Sequence, residues 1–353
     1  MENYNLKNGC NRLGGNIEKI KQREDLWDLY TKKEEYNSLF TDEYDRFPYY
    51  LSSHRNVFEP TISQFLISNN FEVGYPENKN FAVCLTHDID VVYPGRILPS
   101  VKAMIECKFA DAFKIPFSRI YKPWNTYWNF RNIMELESKY DAKSSFYFLA
   151  LTSEEKDFNY NIKDLESELG FISDSGWEVG LHGGHESYNN LEDIQEKKKR
   201  LEEVLGKKVI GYRNHYLRFR VPDTWELLSK AGFKYDSTFG YSDCSGFRNG
   251  MCHPFRPYNF ETGKEIGILE IPLTIMDRTL LESHMKLDLE NAWELTKRLI
   301  DIVEKCKGVI TILWHNTQMQ GENLKFYENV LKYCSDKNAW ITSGEEIYNF
   351  WES

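Results

Sequence analysis

From Phe81 onward the chain repeats one unit, a short apolar run followed by a longer stretch of helical spacing. This repeat restricts the fold more than any other feature. The runs are FAVCLT (81–86), SSFYFLA (144–150), WEVGLH (177–182), KVIGYR (208–213), FKYDST (233–238), ILEIPL (268–273) and VITILW (309–314). Alternation of this kind is that of a mainly parallel sheet with crossover helices. Between the runs, Leu191, Ile194, Leu201, Val204 and Leu205 share one face of an amphipathic helix that stops at Gly206, and 289–307 repeats the pattern before Gly308. The seven steps predict a distorted (β/α)7 barrel over residues 79–353, with chemistry gathered at the carboxyl ends of its strands. Residues 1–78 are polar and irregular, with charged helix-like pieces such as 16–32. They predict an N-terminal appendage that caps the barrel or serves as a protein contact.

Composition narrows the partners. With 54 acidic against 44 basic residues the formal charge is −10, which opposes an extended phosphate-binding surface, so nucleic acid is not expected. Residues 1–15 hold no apolar core of signal-peptide length, and no apolar run approaches the roughly 18 residues of a membrane helix. No membrane span and a cytoplasmic location are expected. The seven cysteines (Cys10, Cys84, Cys107, Cys244, Cys252, Cys306, Cys334) form no CxxC pairs and predict free thiols rather than disulfides or a thiolate zinc site. An aromatic content of 15% suffices both for a large core and for a carbohydrate-binding groove.

The strand ends carry the reactive groups. The first run leads into Thr86-His87-Asp88-Ile89-Asp90, where Asp88 and Asp90 face the same side of an extended chain. Such a pair suits a metal ligand beside a general base, although an isolated pair also serves as a helix cap or turn cluster. The third run ends in His182-Gly183-Gly184-His185-Glu186, imidazoles and a carboxylate around flexible glycines. Together with an aspartate they can form a facial metal set with open positions for water and substrate. The fourth run ends in Arg213-Asn214-His215-Tyr216, and the seventh in Trp314-His315-Asn316. Six of the eight histidines (His87, His182, His185, His215, His253, His315) fall in these segments or in the loop 246–258.

In this order the segments resemble the polysaccharide deacetylase family, the carbohydrate esterases of family four, across roughly residues 79–350. That family's first motif is usually Thr-Phe-Asp-Asp-Gly; Thr-His-Asp-Ile-Asp displaces the second carboxylate by one, so the resemblance implies Asp88 as base and Asp90 as metal ligand. The second motif is a His pair four apart, which His182 opens; His185 comes one residue early and Glu186 stands in the usual place. The resemblance implies a metal set of Asp90, His182 and His185, with Glu186 as the alternative third ligand. Arg213 matches an arginine that orients the base, His215 replaces a proline, and Tyr216 matches an aromatic residue whose amide binds the oxyanion. Leu313-Trp314-His315 matches the last motif and implies His315 as general acid. Asp236 resembles the fourth motif loosely and could equally cap a turn. The loop 246–258 resembles one that would cover the groove.

The function implied is metal-dependent hydrolysis of acetyl groups, as amide or ester, from a carbohydrate. Zinc is the first choice of metal, with cobalt, nickel or manganese compatible. Two other readings stay open: a carbohydrate-binding protein that kept the barrel but lost the metal, and an amidase of the same fold acting on a small non-sugar amide. The sequence names no particular protein partner.

Overall fold

A computed structural model of the chain describes residues 13–36, 38–94 and 125–353; Cys10 and Cys107 lie outside this range. Its main sheet contains β1 (Ala82–Ile89), β2 (Ser145–Leu149), β3 (Glu178–Gly183), β4 (Gly211–Asn214) and β5 (Tyr235–Asp236). After a two-stranded hairpin of β6 (Tyr258–Asn259) and β7 (Lys264–Glu265), the sheet continues with β8 (Leu269–Glu270), β9 (Leu273–Met276), β10 (Val309–Leu313) and β11 (Trp340–Thr342). The order is β8-β5-β4-β3-β2-β1-β10-β9, with β11 paired to the start of β1. Every pairing in this sheet is parallel. With helices between the strands, the result is the expected distorted (β/α) barrel, left as a curled half-barrel.

Two strands depart from the seven runs. The sixth run divides, because Pro272 lacks the N–H that a continuous ladder needs. Residues before it form β8 at one end of the sheet, and residues after it form β9 at the other. The three-residue β11 is too short to stand out as an apolar run. The helix over Leu191–Leu205 forms as expected, with the Asn190 side chain accepting the Asp193 N–H and Gly206 taking the left-handed conformation at its end. Leu289–Cys306 forms likewise, capped by Asp288. Among the described residues no helix is long and apolar enough to cross a membrane, and the five described cysteines are free and buried.

The N-terminal residues share the barrel's core: Ile20, Leu26, Tyr30, Ile62 and Leu66 are buried in the same apolar cluster as the strands. Several of their polar contacts run to the loop 246–258. The Arg248 guanidinium pairs with the buried Glu35 carboxylate, and the N–H groups of Ile62 and Ser63 donate to the Gly250 carbonyl. That loop, expected over the groove, is instead held between the N-terminal segment and the sheet margin, where Phe255 and Glu270 exchange backbone hydrogen bonds.

Inside the curl, register places Asp88 beside Tyr147, Tyr147 beside Gly180, and Gly211 beside Tyr235. A side chain at Gly180 would strike the Tyr147 ring, and one at Gly211 would strike the Tyr235 hydroxyl, so these glycines make room for two phenols. The Tyr147 and Tyr235 hydroxyls lie 2.9 Å apart, and Tyr235 donates to Glu178 at 2.7 Å. Glu178 also accepts from Ser145 Oγ at 2.6 Å and from the Glu345 N–H at 2.8 Å. This hydrogen-bonded floor lies directly beneath the polar residues at the strand ends.

Candidate metal centre

Alternation along β1 sends Thr86 and Asp88 into the curl and His87 to the opposite face. The outward imidazole is fully used there: Nδ1 donates to the Trp314 carbonyl at 2.6 Å, and Nε2 meets the buried Glu137 carboxylate at 2.8 Å. His253 is likewise structural, with its ring nitrogens on Ser63 and on the Cys306 carbonyl. Neither belongs to the centre.

Asp90, His182 and His215 do converge, each offering one donor atom within 4.8 Å of the others. His182, the penultimate residue of β3, lies next to Arg213 on β4, and its Nδ1 donates to the Arg213 carbonyl at 2.9 Å. That bond turns Nε2 toward Asp90 Oδ1 at 3.2 Å. His215 follows β4, with Nε2 at 3.6 Å from the same Asp90 oxygen and Nδ1 at 3.7 Å from Asp157 Oδ2. Two imidazoles thus aim one nitrogen at a single carboxylate; the other nitrogen of His182 is held by a carbonyl, the usual support of a metal-bound histidine, while that of His215 faces Asp157 without a hydrogen bond. His182 Nε2 and Asp90 Oδ1 are buried without a hydrogen-bond partner. An acceptor nitrogen facing an acceptor oxygen is satisfied by a proton or a metal cation shared between them, and this donor set fits a divalent ion.

The electrostatics agree. Burial pushes His215 down to about 4, so the imidazole is neutral near neutral pH, the form that binds metal. Burial opposes ionisation of Asp90, but the His215, His182 and His315 imidazoles outweigh it and hold the carboxyl well below its ordinary range.

His185, expected as the third imidazole, is not brought to this cluster. β3 ends at Gly183, and the following turn carries the ring outward, where Nε2 lies 2.8 Å from Lys156 Nζ and Nδ1 meets Arg218 and Glu186. Glu186 is exposed and pairs with Arg218 at 3.2 Å. His215, which register sets one residue past the end of the neighbouring strand, is the second imidazole that converges with Asp90 and His182.

Around the cluster, Asp88 Oδ2 lies 3.7 Å from His182 Nε2 and Oδ1 lies 3.8 Å from Arg213 Nη1, an ion-pair distance too long for a hydrogen bond. Arg213 is fully buried; its Nη2 donates to Thr86 and Ser237 hydroxyls, and its guanidinium lies 5.3 Å over the Tyr147 ring. On the other side His315 Nε2 lies 3.6 Å from Asp90 Oδ2. Burial alone would push His315 down, but the Asp277 carboxylate on its Nδ1 prevails and raises it. Asp277 and Asp157 escaped the sequence reading. Asp277 directly follows β9, so the rule that strand ends carry chemistry would have found it had β9 been recognised. Asp236 is buried on β5, not at a turn cap, and accepts from Thr238 at 2.6 Å; burial keeps its carboxyl raised.

No protein-family model matches the sequence, and no curated protein matches it. Solved structures do. A Mycobacterium smegmatis protein assigned as a polysaccharide deacetylase superposes with a TM-score of 0.55 at 19% identity, covering 78% of this chain and 92% of that one. The peptidoglycan deacetylase PdaC from Bacillus subtilis gives a TM-score of 0.38 at 13% identity over 77% of this chain and 92% of its own. The CE4 domain of a multidomain xylanase from the hindgut metagenome of Trinervitermes trinervoides gives 0.40 at 11% identity over 76% and 90%. The curled parallel sheet and the first of these likenesses place the chain on the fold of the polysaccharide deacetylases, carbohydrate esterase family four.

Proposed function

We propose that the protein is a metal-dependent hydrolase that removes acetyl groups, as amide or ester, from a carbohydrate. The observation that carries this reading is the convergence of two imidazoles and one buried carboxylate, with His182 Nε2 and Asp90 Oδ1 buried there without a hydrogen-bond partner. Asp90, His182 and His215 would hold the ion. When bound, a divalent cation polarises an acyl carbonyl and lowers the pKa of water. Zinc suits one carboxylate and two imidazoles best, with cobalt, nickel or manganese compatible.

The chain's own groups divide the proton transfers. Asp88, beside His182, accepts the proton of the attacking water, with Arg213 orienting its carboxylate. His315, raised and held by Asp277, lies on the other side of Asp90 and donates to the departing amine or alkoxide. The Tyr216 backbone N–H is the oxyanion donor.

Metal analysis of the purified protein, combined with acetate release from a panel of acetylated sugars, tests the reading. The expected result is close to one divalent ion per chain and chelator-sensitive release. A protein that binds glycans but releases no acetate after metal is added back would overturn it.

A further inference from the structure

The bend that carries His215 is strained and is braced by the N-terminal segment. Immediately after His215, Tyr216 has φ 60° and Leu217 φ 53°, two successive non-glycine residues in the left-handed region. Each such residue costs on the order of 1–3 kcal/mol and persists only where its surroundings over-determine it. The surroundings here come from a segment 170 residues away in sequence.

Residues 42–46 form a small closed loop: the Asp42 N–H donates to the Arg46 carbonyl at 2.9 Å, and Asp42 Oδ1 accepts the N–H groups of Tyr44 and Arg46 at 2.9 and 3.0 Å. The second oxygen of Asp42 holds the Arg46 guanidinium through Nε and Nη2, each at 2.7 Å. With its orientation fixed, Arg46 turns Nη1 onto the Tyr216 carbonyl at 2.6 Å. The Tyr44 ring stacks on Tyr216 with centroids 4.7 Å apart, and Tyr216 stacks on the His215 imidazole at 4.0 Å. The bend also grips the loop from beyond: Arg218 Nε donates to the Tyr44 carbonyl at 2.8 Å, and Arg220 pairs with Asp45. Arg46 is buried, whereas the Arg220 pair is half-exposed.

We infer that Arg46, fixed by Asp42, is a positioning residue for the metal centre: its bond to the Tyr216 carbonyl holds the left-handed bend and thereby keeps the His215 imidazole aimed at Asp90. The inference rests on His215 being a ligand, as proposed above. It makes the N-terminal segment part of the centre's supporting shell as well as a cap on the barrel. Outer-shell partners of metal-bound histidines typically carry 10–100-fold in metal affinity, and Arg46 acts at one remove, through backbone.

The test uses the full chain, zinc affinity by chelator competition, and the visible absorption spectrum of the cobalt-loaded protein. Arg46→Ala is expected to weaken zinc binding about 10–100-fold and to change the cobalt spectrum, with partial recovery in Arg46→Lys. Arg220→Ala, which cuts an equally long-range contact of the same loop without touching Tyr216, is expected to stay within about twofold of wild type because exposed ion pairs contribute little. His215→Ala separates the two levels: if it loses zinc while Arg46→Ala binds as wild type, the positioning role is overturned and the centre stands. If His215→Ala itself binds as wild type, the centre is wrong. Should Arg46→Ala not fold, Asp42→Asn takes its place, and wild-type affinity and spectrum there overturn the inference.

Discussion

Asp277 accepts both the imidazole Nδ1–H and the backbone N–H of His315, at 2.7 and 2.6 Å, so one buried carboxylate fixes the ring's tautomer, its orientation and its raised proton affinity. Replacing it by Asn keeps the shape and removes the charge. In Asp277→Asn the alkaline limb of the pH–rate profile is expected to move to lower pH, with kcat down roughly 10²–10⁴-fold if acid catalysis is lost. The sign also applies to stability: a histidine raised in the folded state stabilises fully below its unfolded pKa, and that contribution fades as pH rises through the folded value. An unmoved alkaline limb in the variant would remove His315 from the acid role.

The two candidate third imidazoles give opposite expectations. His215→Ala leaves Asp90 and His182 with an open side, and metal and activity should disappear together, as they should in Asp90→Ala and His182→Ala. His185→Ala breaks hydrogen bonds to Lys156, Arg218 and Glu186 and ring contacts to Tyr44 and Tyr216, none of them to Asp90 or His182, and should keep its metal. Elemental analysis after dialysis decides between them; loss of metal in the His185 variant alone would restore the ligand set expected from sequence.

Asp88 lies beside the centre without belonging to its three donors. Asp88→Asn is nearly isosteric and cannot accept a proton, so it should bind metal as wild type while kcat falls roughly 10²–10⁴-fold. Wild-type turnover would exclude Asp88 as base.

Glu178, in the floor of the curl, is pushed by burial up to about 7 from an ordinary 4.5. Its folded form therefore keeps a proton that the unfolded chain has released, and its contribution to stability is lost as pH rises from about 4.5 through 7, on the order of 3 kcal/mol in all. Urea unfolding of metal-free protein at pH 5 and pH 8 should show a smaller pH-dependent loss in Glu178→Gln than in wild type. Equal losses would place the proton elsewhere.

Much of the fold was legible because strand-length apolar runs and helical spacing act locally. The carboxyl ends of β1, β3, β4 and β10 could be named from sequence, and with them Asp88, Asp90, His182, Arg213 and His315. What escaped was set by tertiary geometry. Whether a histidine two residues past a strand turns inward depends on the turn, and the glycines before His185 permitted either outcome; Arg218, Lys156 and Glu186 drew it out. His215 became the inward imidazole through a left-handed bend at tyrosine and leucine, a conformation no propensity suggests for those residues. Asp277 stayed hidden because Pro272 cut one apolar run into two strands that lie at opposite ends of the sheet.

That cut has a consequence for how the protein behaves in a crowded solution. A sheet that ends in bare backbone is a template for another molecule's strand, a route to association and fibre growth. Here the two outermost strands are successive pieces of one chain, joined across Ile271-Pro272, and the loop 246–258 attends to both: Phe255 bonds Glu270 on β8, while the Gly246 N–H donates to the Thr274 carbonyl on β9 at 2.9 Å. The same loop is clasped by Glu35, Val57 and Ile62 of the N-terminal segment. Shortening the chain from its amino end past these residues would remove the clasp that holds this loop on both margins, so such a truncated protein should aggregate by strand addition more readily than the full chain, as light scattering would show.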